Sequence, residues 1–320
     1  MSQLPNYYLT TDFNEIYARH PPPDSFASGM FRWPRGDIDA LQDRLFREII
    51  GDAWKNPFYE GVWRDAGLAP GDISGLDDIA KLPVVTVDDF KQSIEADPPF
   101  GRHQSAALAA RGLEALKIQS SGGTTGRPRP TLFGPVEWEV QAIQTARSLY
   151  LQGARPGDVL HIPVTLSTAN MGWCYFQAAF YYLGVIPITP GSGVVTDTKR
   201  QVELLRDWGA NLLVAFPEYL LHMAQVAQEQ GIDPHELGLK FVTTYLGPDT
   251  EGHLRRELEE AWGCEVFDNY GTHEIGVASF ECEARHGLHF NEDTLYVEVV
   301  DVDTGQPVSP GETGNLVATS

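Results

Sequence analysis

A chain of 320 residues, 42% hydrophobic and 21% charged, has enough apolar material for one large domain or two smaller ones. Its 44 acidic against 23 basic side chains give a formal charge of -21. Such a field repels polyanions and sets aside nucleic acid and anionic membrane as partners, although local donors could still hold a small anion.

The N-terminal region, residues 1–40, is rich in Pro, Gly and aromatics and lacks a clean period, so it reads as an irregular arm. Residues 38–66 carry Leu41, Leu45, Ile49 and Ile50 at helical spacing, interrupted at Asn56-Pro57. Thr86 suits the N-cap of a helix over 87–95. From residue 116 the pattern alternates. Strand 116–119 enters a glycine-rich turn and helix 136–151 follows. Strands are then expected at 158–163, 184–188, 211–215, 240–245 and 264–268, with helices at 171–183, 196–208, 217–229 and 250–262 between them. That rhythm predicts an α/β fold with mostly parallel sheets flanked by helices. Beyond 285, the alternating 294–300 and a strand from 314 predict an antiparallel β hairpin region near the C-terminus. The expected division is 1–115 as arm and helical region, 116–284 as α/β body, and 285–320 as the start of a β subdomain. Ser320 falls inside an expected strand, which suggests a fragment.

Three cysteines, Cys174, Cys264 and Cys282, are too few for a disulfide framework and suit a reducing compartment. The first twenty residues lack a basic-then-apolar leader, and the apolar stretch 174–189 is broken by Gln177, Gly184 and Pro187, so the expected location is the cytoplasm.

The strongest chemical signal runs from Ser120 through Ser121, Gly122, Gly123, Thr124, Thr125, Gly126 and Arg127 to Arg129. Glycines let backbone N–H groups approach an anion, hydroxyls add donors, and two arginines add charge in an acidic chain, which together make a phosphate cradle. Neither a Walker loop nor a dinucleotide fingerprint is in register. The plain alternative is a surface linker. A second segment, Asn269-Tyr270-Gly271-Thr272-His273-Glu274, follows the expected strand 264–268, at the strand end where parallel sheets bind ligands.

Together these segments resemble the signatures of the adenylate-forming enzymes, Ser-Gly-Thr-Thr-Gly-x-Pro-Lys and Tyr-Gly-x-Thr-Glu, with Arg129 at the lysine position and His273 at a hydroxyl position. Gly247-Pro248-Asp249 is similar to a segment that lines the adenine pocket in that superfamily. The tail around Cys282 and His289, with 296–301 and 311–319, resembles the phenylacetate–CoA ligase branch. The resemblance implies the large N-terminal domain of such an enzyme, with the small C-terminal lid domain absent. It implies ATP, Mg²⁺ and CoA, and a small carboxylic acid, aryl or arylacetic, turned into an acyl-adenylate and passed to CoA. Glu274 would hold Mg²⁺, Thr124 and Arg129 would serve the phosphates, and Tyr270 with Gly247 would hold adenine. The chain by itself would be slow or inactive. Other acceptors, a carrier-protein thiol or a deazaflavin-type phenol, stay open, as do a homodimer and a catalytically silent homologue.

Asn170, Met171, Gly172, Phe216, Pro217 and Tyr245 could wall an apolar acid pocket, and core packing explains each of them equally well. Cys264, Cys282, His286 and His289 offer ligand types for a structural zinc. The alternative is a small buried residue and a hairpin.

Overall fold

Alternating apolar residues from 158 onward build one seven-stranded sheet in the computed structural model, which describes residues 4–121 and 128–320. Strands β1 (Lys117–Ser120) and β2 (Pro130–Phe133) come first in the chain and stand apart from it. The sheet consists of β3 (Val159–His161), β4 (Ile186–Ile188), β5 (Leu212–Val214), β6 (Phe241–Thr244), β7 (Glu265–Thr272), β8 (Gly276–Phe280) and β9 (His289–Phe290), in the order β4-β3-β5-β6-β7-β8-β9. The first five are parallel, and β8 and β9 add antiparallel strands. A final antiparallel pair, β10 (Tyr296–Val300) and β11 (Asn315–Thr319), matches the expected C-terminal hairpin.

The chain divides into two compact units, residues 1–19, 30–138 and 292–320 forming one, and residues 20–29 and 139–291 the other. In the second unit both sheet faces are buried, as a parallel sheet requires. Leu160, Leu212, Val214, Phe241 and Phe267 meet one set of helical residues: Ala146 and Leu149 of α8 (Pro135–Leu151) and Tyr175 of α9 (Asn170–Gln177). The alternate residues Leu213, Val242 and Val266 meet the other set. These are Leu205 of α10 (Thr198–Asp207), Leu220 and Met223 of α11 (Pro217–Glu229), and Leu258 and Trp262 of α12 (His253–Trp262). Helix α9 continues as a π-helical segment, Ala178–Leu183, ended by left-handed Gly184. The fully buried Arg147 of α8 donates to the carbonyl of Pro21 at 2.9 and 3.0 Å and to Asn291 Oδ1 at 3.2 Å. Its guanidinium also lies 4.0 Å from the Phe26 ring, so the 20–29 segment is fastened to this unit.

In the first unit the N-terminal region departs from expectation. Residues 4–34 contain short helices, α1 (Tyr7–Thr10), α2 (Phe13–Arg19) and α3 (Pro23–Ser28, which belongs to the second unit), before α4 (Arg35–Ala53) begins. Helices this short contain too few turns to show a hydrophobic period. Next come α5 (Pro57–Asp65), capped by Asn56, and α6 (Val87–Ala96), where Thr86 and Asp89 form a capping box. Helix α7 is Ser105–Ala109. Gln42 of α4 donates to the carbonyls of Glu292 and Leu295, 3.2 Å each, and ties the approach to β10 into this unit. Strand β1 also departs from expectation. It pairs antiparallel with β2 in a hairpin of its own and does not join the parallel sheet. The Gln104 side chain braces this hairpin, donating to Pro130 O (2.8 Å) and accepting from Leu132 N (2.7 Å). Among the described residues, no helix is long and apolar enough to cross a membrane.

Candidate functional site

Parallel order and strand reversal decide where the second unit can take a ligand. The chain runs from β3 to β4 on one side and returns to β5 on the other, so connections diverge beyond the carboxyl ends of β3 and β5. Phe216 follows β5 and is 52% exposed. Tyr245 follows β6, its ring 6.1 Å from that of Phe216 and its hydroxyl 3.5 Å from Tyr175 Oη. Burial pushes both phenols up, so both stay protonated. Asn170 opens α9, and its Nδ2 donates to the carbonyl of His273, 3.2 Å away.

Strand β7 runs four residues past its expected end, so the Tyr-Gly segment is strand rather than loop. It turns into β8 through a tight hairpin in which Thr272 pairs with Gly276, leaving His273, Glu274 and Ile275 at the tip. Gly276 closes the turn with φ +65°, a left-handed conformation that favours glycine. A β-carbon on Gly271 would stand 2.0 Å from Gly276 O, so only glycine fits the irregular pairing between Tyr270 and Thr272. Strand alternation then sorts the motif. Tyr270 is 39% exposed, Thr272 and Glu274 are exposed, and Asn269 points inward.

Asn269 therefore departs from its expected nucleotide role. Its Nδ2 donates to Thr243 Oγ1 (2.7 Å) and Thr244 O (2.9 Å), and its Oδ1 accepts from Ser148 Oγ (2.7 Å) and Gln152 Nε2 (3.1 Å). Asp249 also differs. Its carboxylate accepts from Leu254 N and Arg255 N at 3.2 and 2.9 Å, capping the start of α12, and the Arg255 amide first among these donors holds its pKa below the usual range. Gly247 (φ +68°) and Pro248 are exposed just past β6. In the pocket set, Pro217 is buried as the first residue of α11. Gly172 is buried too, and a β-carbon there would lie 3.1 Å from Leu166 Cδ2. Met171 packs against the core beneath the edge. These three serve packing, while Phe216, Tyr245 and Asn170 stand at the carboxyl edge.

Several supporting residues were not anticipated. Arg255 and Glu281 pair at 2.8 and 2.9 Å in a largely buried position, and Glu281 Oε2 also accepts from Asp268 N (2.8 Å). Asp268 Oδ1 accepts from Leu246 N (2.7 Å), and burial lifts this carboxyl above the usual range. Gln141, Gln144 and Ser148 form a buried polar stripe on α8 at helical spacing, which Gln152 continues just past the helix end. A polar stripe within an apolar helix is a signal the sequence carried.

In the first unit Ser120 pairs with Pro130 across the β1–β2 ladder. Ser121 and Arg129 flank the hydroxyl-rich segment. Gly122, Gly123, Thr124, Thr125, Gly126 and Arg127 lie outside the described residues. The imidazole of His103 packs against Phe58 and Phe90, and burial, aided by the charge of Arg129, holds its pKa down.

The expected zinc quartet is not assembled. Among the described residues no three His, Cys, Asp or Glu side chains gather to hold a metal. Cys282 Sγ and His289 Nε2 lie 3.3 Å apart, but burial pushes the Cys264 thiol up to about 12 and keeps it protonated, and His286 joins no such group. Glu274, by contrast, offers hard carboxylate oxygens at an exposed tip, the donor type that Mg²⁺ takes together with substrate phosphates.

Comparison with known proteins supplies the remaining findings. A family model described as AMP-binding enzyme matches residues 76–320. A phenylacetate–coenzyme A ligase of Thermus thermophilus is 31% identical over 293 residues, which cover 90% of this chain and 62% of that protein. The phenylacetate–coenzyme A ligase of Escherichia coli is 29% identical, covering 89% of this chain and 63% of its own length. The crystal structure of 2-hydroxyisobutyryl-CoA ligase with 2-HIB-AMP and CoA superposes with a TM-score of 0.82 at 29% identity, over 89% of this chain and 60% of that one. The chain thus spans about three fifths of the length of these relatives.

Proposed function

Because this chain belongs to the AMP-binding enzyme family, on its phenylacetate–CoA ligase-like branch, we propose that it forms the large nucleotide- and acid-binding part of an ATP-dependent acid–CoA ligase. The observation that carries this reading is the shared carboxyl edge of β6 and β7. The segment that resembles the adenine-pocket signature follows β6, and the Tyr-Gly signature forms the end of its paired neighbour β7, with Thr244 beside Asp268.

A carboxylate is a poor electrophile, since its leaving group would be oxide. Its oxygen attacks the α-phosphorus of ATP, the bond to pyrophosphate breaks, and the acyl group now carries AMP as leaving group. A thiolate then attacks the acyl carbon and releases AMP. On this reading the exposed ring of Tyr270 and the backbone at Gly247 bind adenine. Ser120, Ser121 and Arg129, with the segment between them, bind phosphate oxygens where negative charge grows. Glu274 holds Mg²⁺, which when bound neutralises phosphate charge. Phe216 and Tyr245 border the place of the acid, consistent with an aryl or arylacetic side chain. CoA as acceptor follows the relatives, a phenylacetate–coenzyme A ligase and a 2-hydroxyisobutyryl-CoA ligase.

Isothermal titration of the chain with Mg·ATP tests this. Saturable binding is expected, weakened by Glu274→Gln. No binding at millimolar nucleotide overturns the reading. Pyrophosphate exchange by the chain alone is expected to be slow, since the chain spans 62% of the Thermus relative.

A further inference from the structure

We propose that Asn170 is a positioning residue for Glu274, an inference that rests on the reading of Glu274 as the Mg²⁺-bearing side chain. Asn170 Nδ2 donates to His273 O at 3.2 Å across 103 residues of sequence. That carbonyl belongs to the rigid peptide plane joining His273 to Glu274. Holding it therefore fixes the plane from which the Glu274 side chain departs. The tip has three residues between the paired Thr272 and Gly276, and the pairing below it is irregular at Gly271.

A second observation separates this role from packing. Asn170 Oδ1 is buried and has no hydrogen-bond partner among the described residues. A buried carbonyl oxygen without a donor lowers stability, and an apolar side chain of similar size does not carry that cost. Asn170 also provides no N-terminal cap, since the cap position is Ala169 and makes no side-chain bond. The carboxamide is thus disfavoured by the fold and explained by the single bond it donates.

The test compares the parent chain with Asn170→Leu and Asn170→Ala, each also in a Glu274→Gln background. Binding of Mg·ATP, and of ATP with EDTA, is measured by titration calorimetry, alongside melting temperature and amide hydrogen exchange over 272–276. The expected result is a Mg·ATP affinity about three- to tenfold weaker, the size of one hydrogen bond. Metal-free ATP binding should be unchanged, with no further loss in Glu274→Gln. Asn170→Leu should melt no lower than the parent, and exchange at the tip should quicken. Equal loss with and without Mg²⁺, or unchanged Mg·ATP affinity in both variants, overturns the proposal. If the parent binds no ATP, the functional reading has failed instead. The exchange measurement then still decides the tie, since unchanged exchange at the tip refutes it.

Discussion

Replacing Asn269 by alanine tests whether this residue holds the motif from beneath or touches the nucleotide. Asn269 is 2% exposed and its carboxamide uses its full capacity, two donations to β6 and two acceptances, from Ser148 of α8 and from Gln152 just past its end. Alanine removes all four bonds and leaves the Thr244 carbonyl and the Ser148 and Gln152 side chains facing a void. Unsatisfied buried groups cost about 1–3 kcal/mol each, but these can partly re-pair with one another, so the net loss is about 3 kcal/mol. At about 2–4 °C per kcal/mol for a unit of this size, the melting temperature should fall by about 6–12 °C. Scanning calorimetry gives the shift, and titration with Mg·ATP well below the transition gives the affinity, expected within about twofold of the parent. A variant that melts within about 1 °C of the parent yet loses ATP affinity would refute the reasoning. The side chain would then reach the ligand, and the hydrogen-bond assignments at β7 would be wrong.

Other consequences can be measured in parallel. His161 is fully buried on β3, and burial pulls its pKa down to about 4 from an ordinary 6.5. The unfolded chain therefore takes up the proton first, and the stability this neutral imidazole contributes is complete above pH 6.5 and lost as pH falls towards 4. The loss is about 3 kcal/mol. Urea midpoints of the parent should thus drop more steeply across that window than those of His161→Leu, and parallel curves would contradict the assignment. Gly271→Ala places a β-carbon 2.0 Å from Gly276 O. The hairpin must shift, at a cost of about 1–3 kcal/mol, with Mg·ATP binding lost alongside in titration. Cys264, held protonated by burial, should resist a thiol reagent at pH 8 until the chain is unfolded. Rapid native labelling at Cys264, read by peptide mass, would count against this. Prolonged EDTA treatment should leave the melting temperature unchanged and release no stoichiometric zinc by metal analysis.

Much of the second unit was legible because its physics is periodic. Leu212, Leu213 and Val214 read as a strand buried on both sides, and Pro217 marked the start of α11. Elsewhere the deciding facts are not local. Strand β1 looks like any strand entering a turn, and its membership depends on its partner Pro130–Phe133, four residues opened by a proline and too short to show alternation. The zinc expectation failed for a related reason. Ligand types are visible in sequence, but whether Cys264 and His286 share a centre with Cys282 and His289 depends on backbone paths that nearness in sequence does not set.

The Tyr-Gly segment shows where a local reading could have gone further. Taken as a loop after residue 268, it leaves every side chain equally free to meet a ligand. Taken as a strand, its period of two puts Asn269 inward and Tyr270 and Thr272 outward, and Asn269 then needs interior partners. Those partners were present in the sequence as Ser148, the last member of the polar stripe on α8, and Gln152, which continues it just past the helix end. Gln144 of the same stripe lies where a β-carbon on Gly276 would meet it at 2.6 Å. One helix face thus supports both the base and the turn of the hairpin that carries Glu274. Strand pairing, Gln144 beside the turn and the Asn170 bond at the tip restrict the same few peptide planes, while the Asn269 ties anchor the strand below them. A carboxylate that must meet a metal in one geometry requires that restriction in advance, because ordering the hairpin on binding would take its entropy from the affinity.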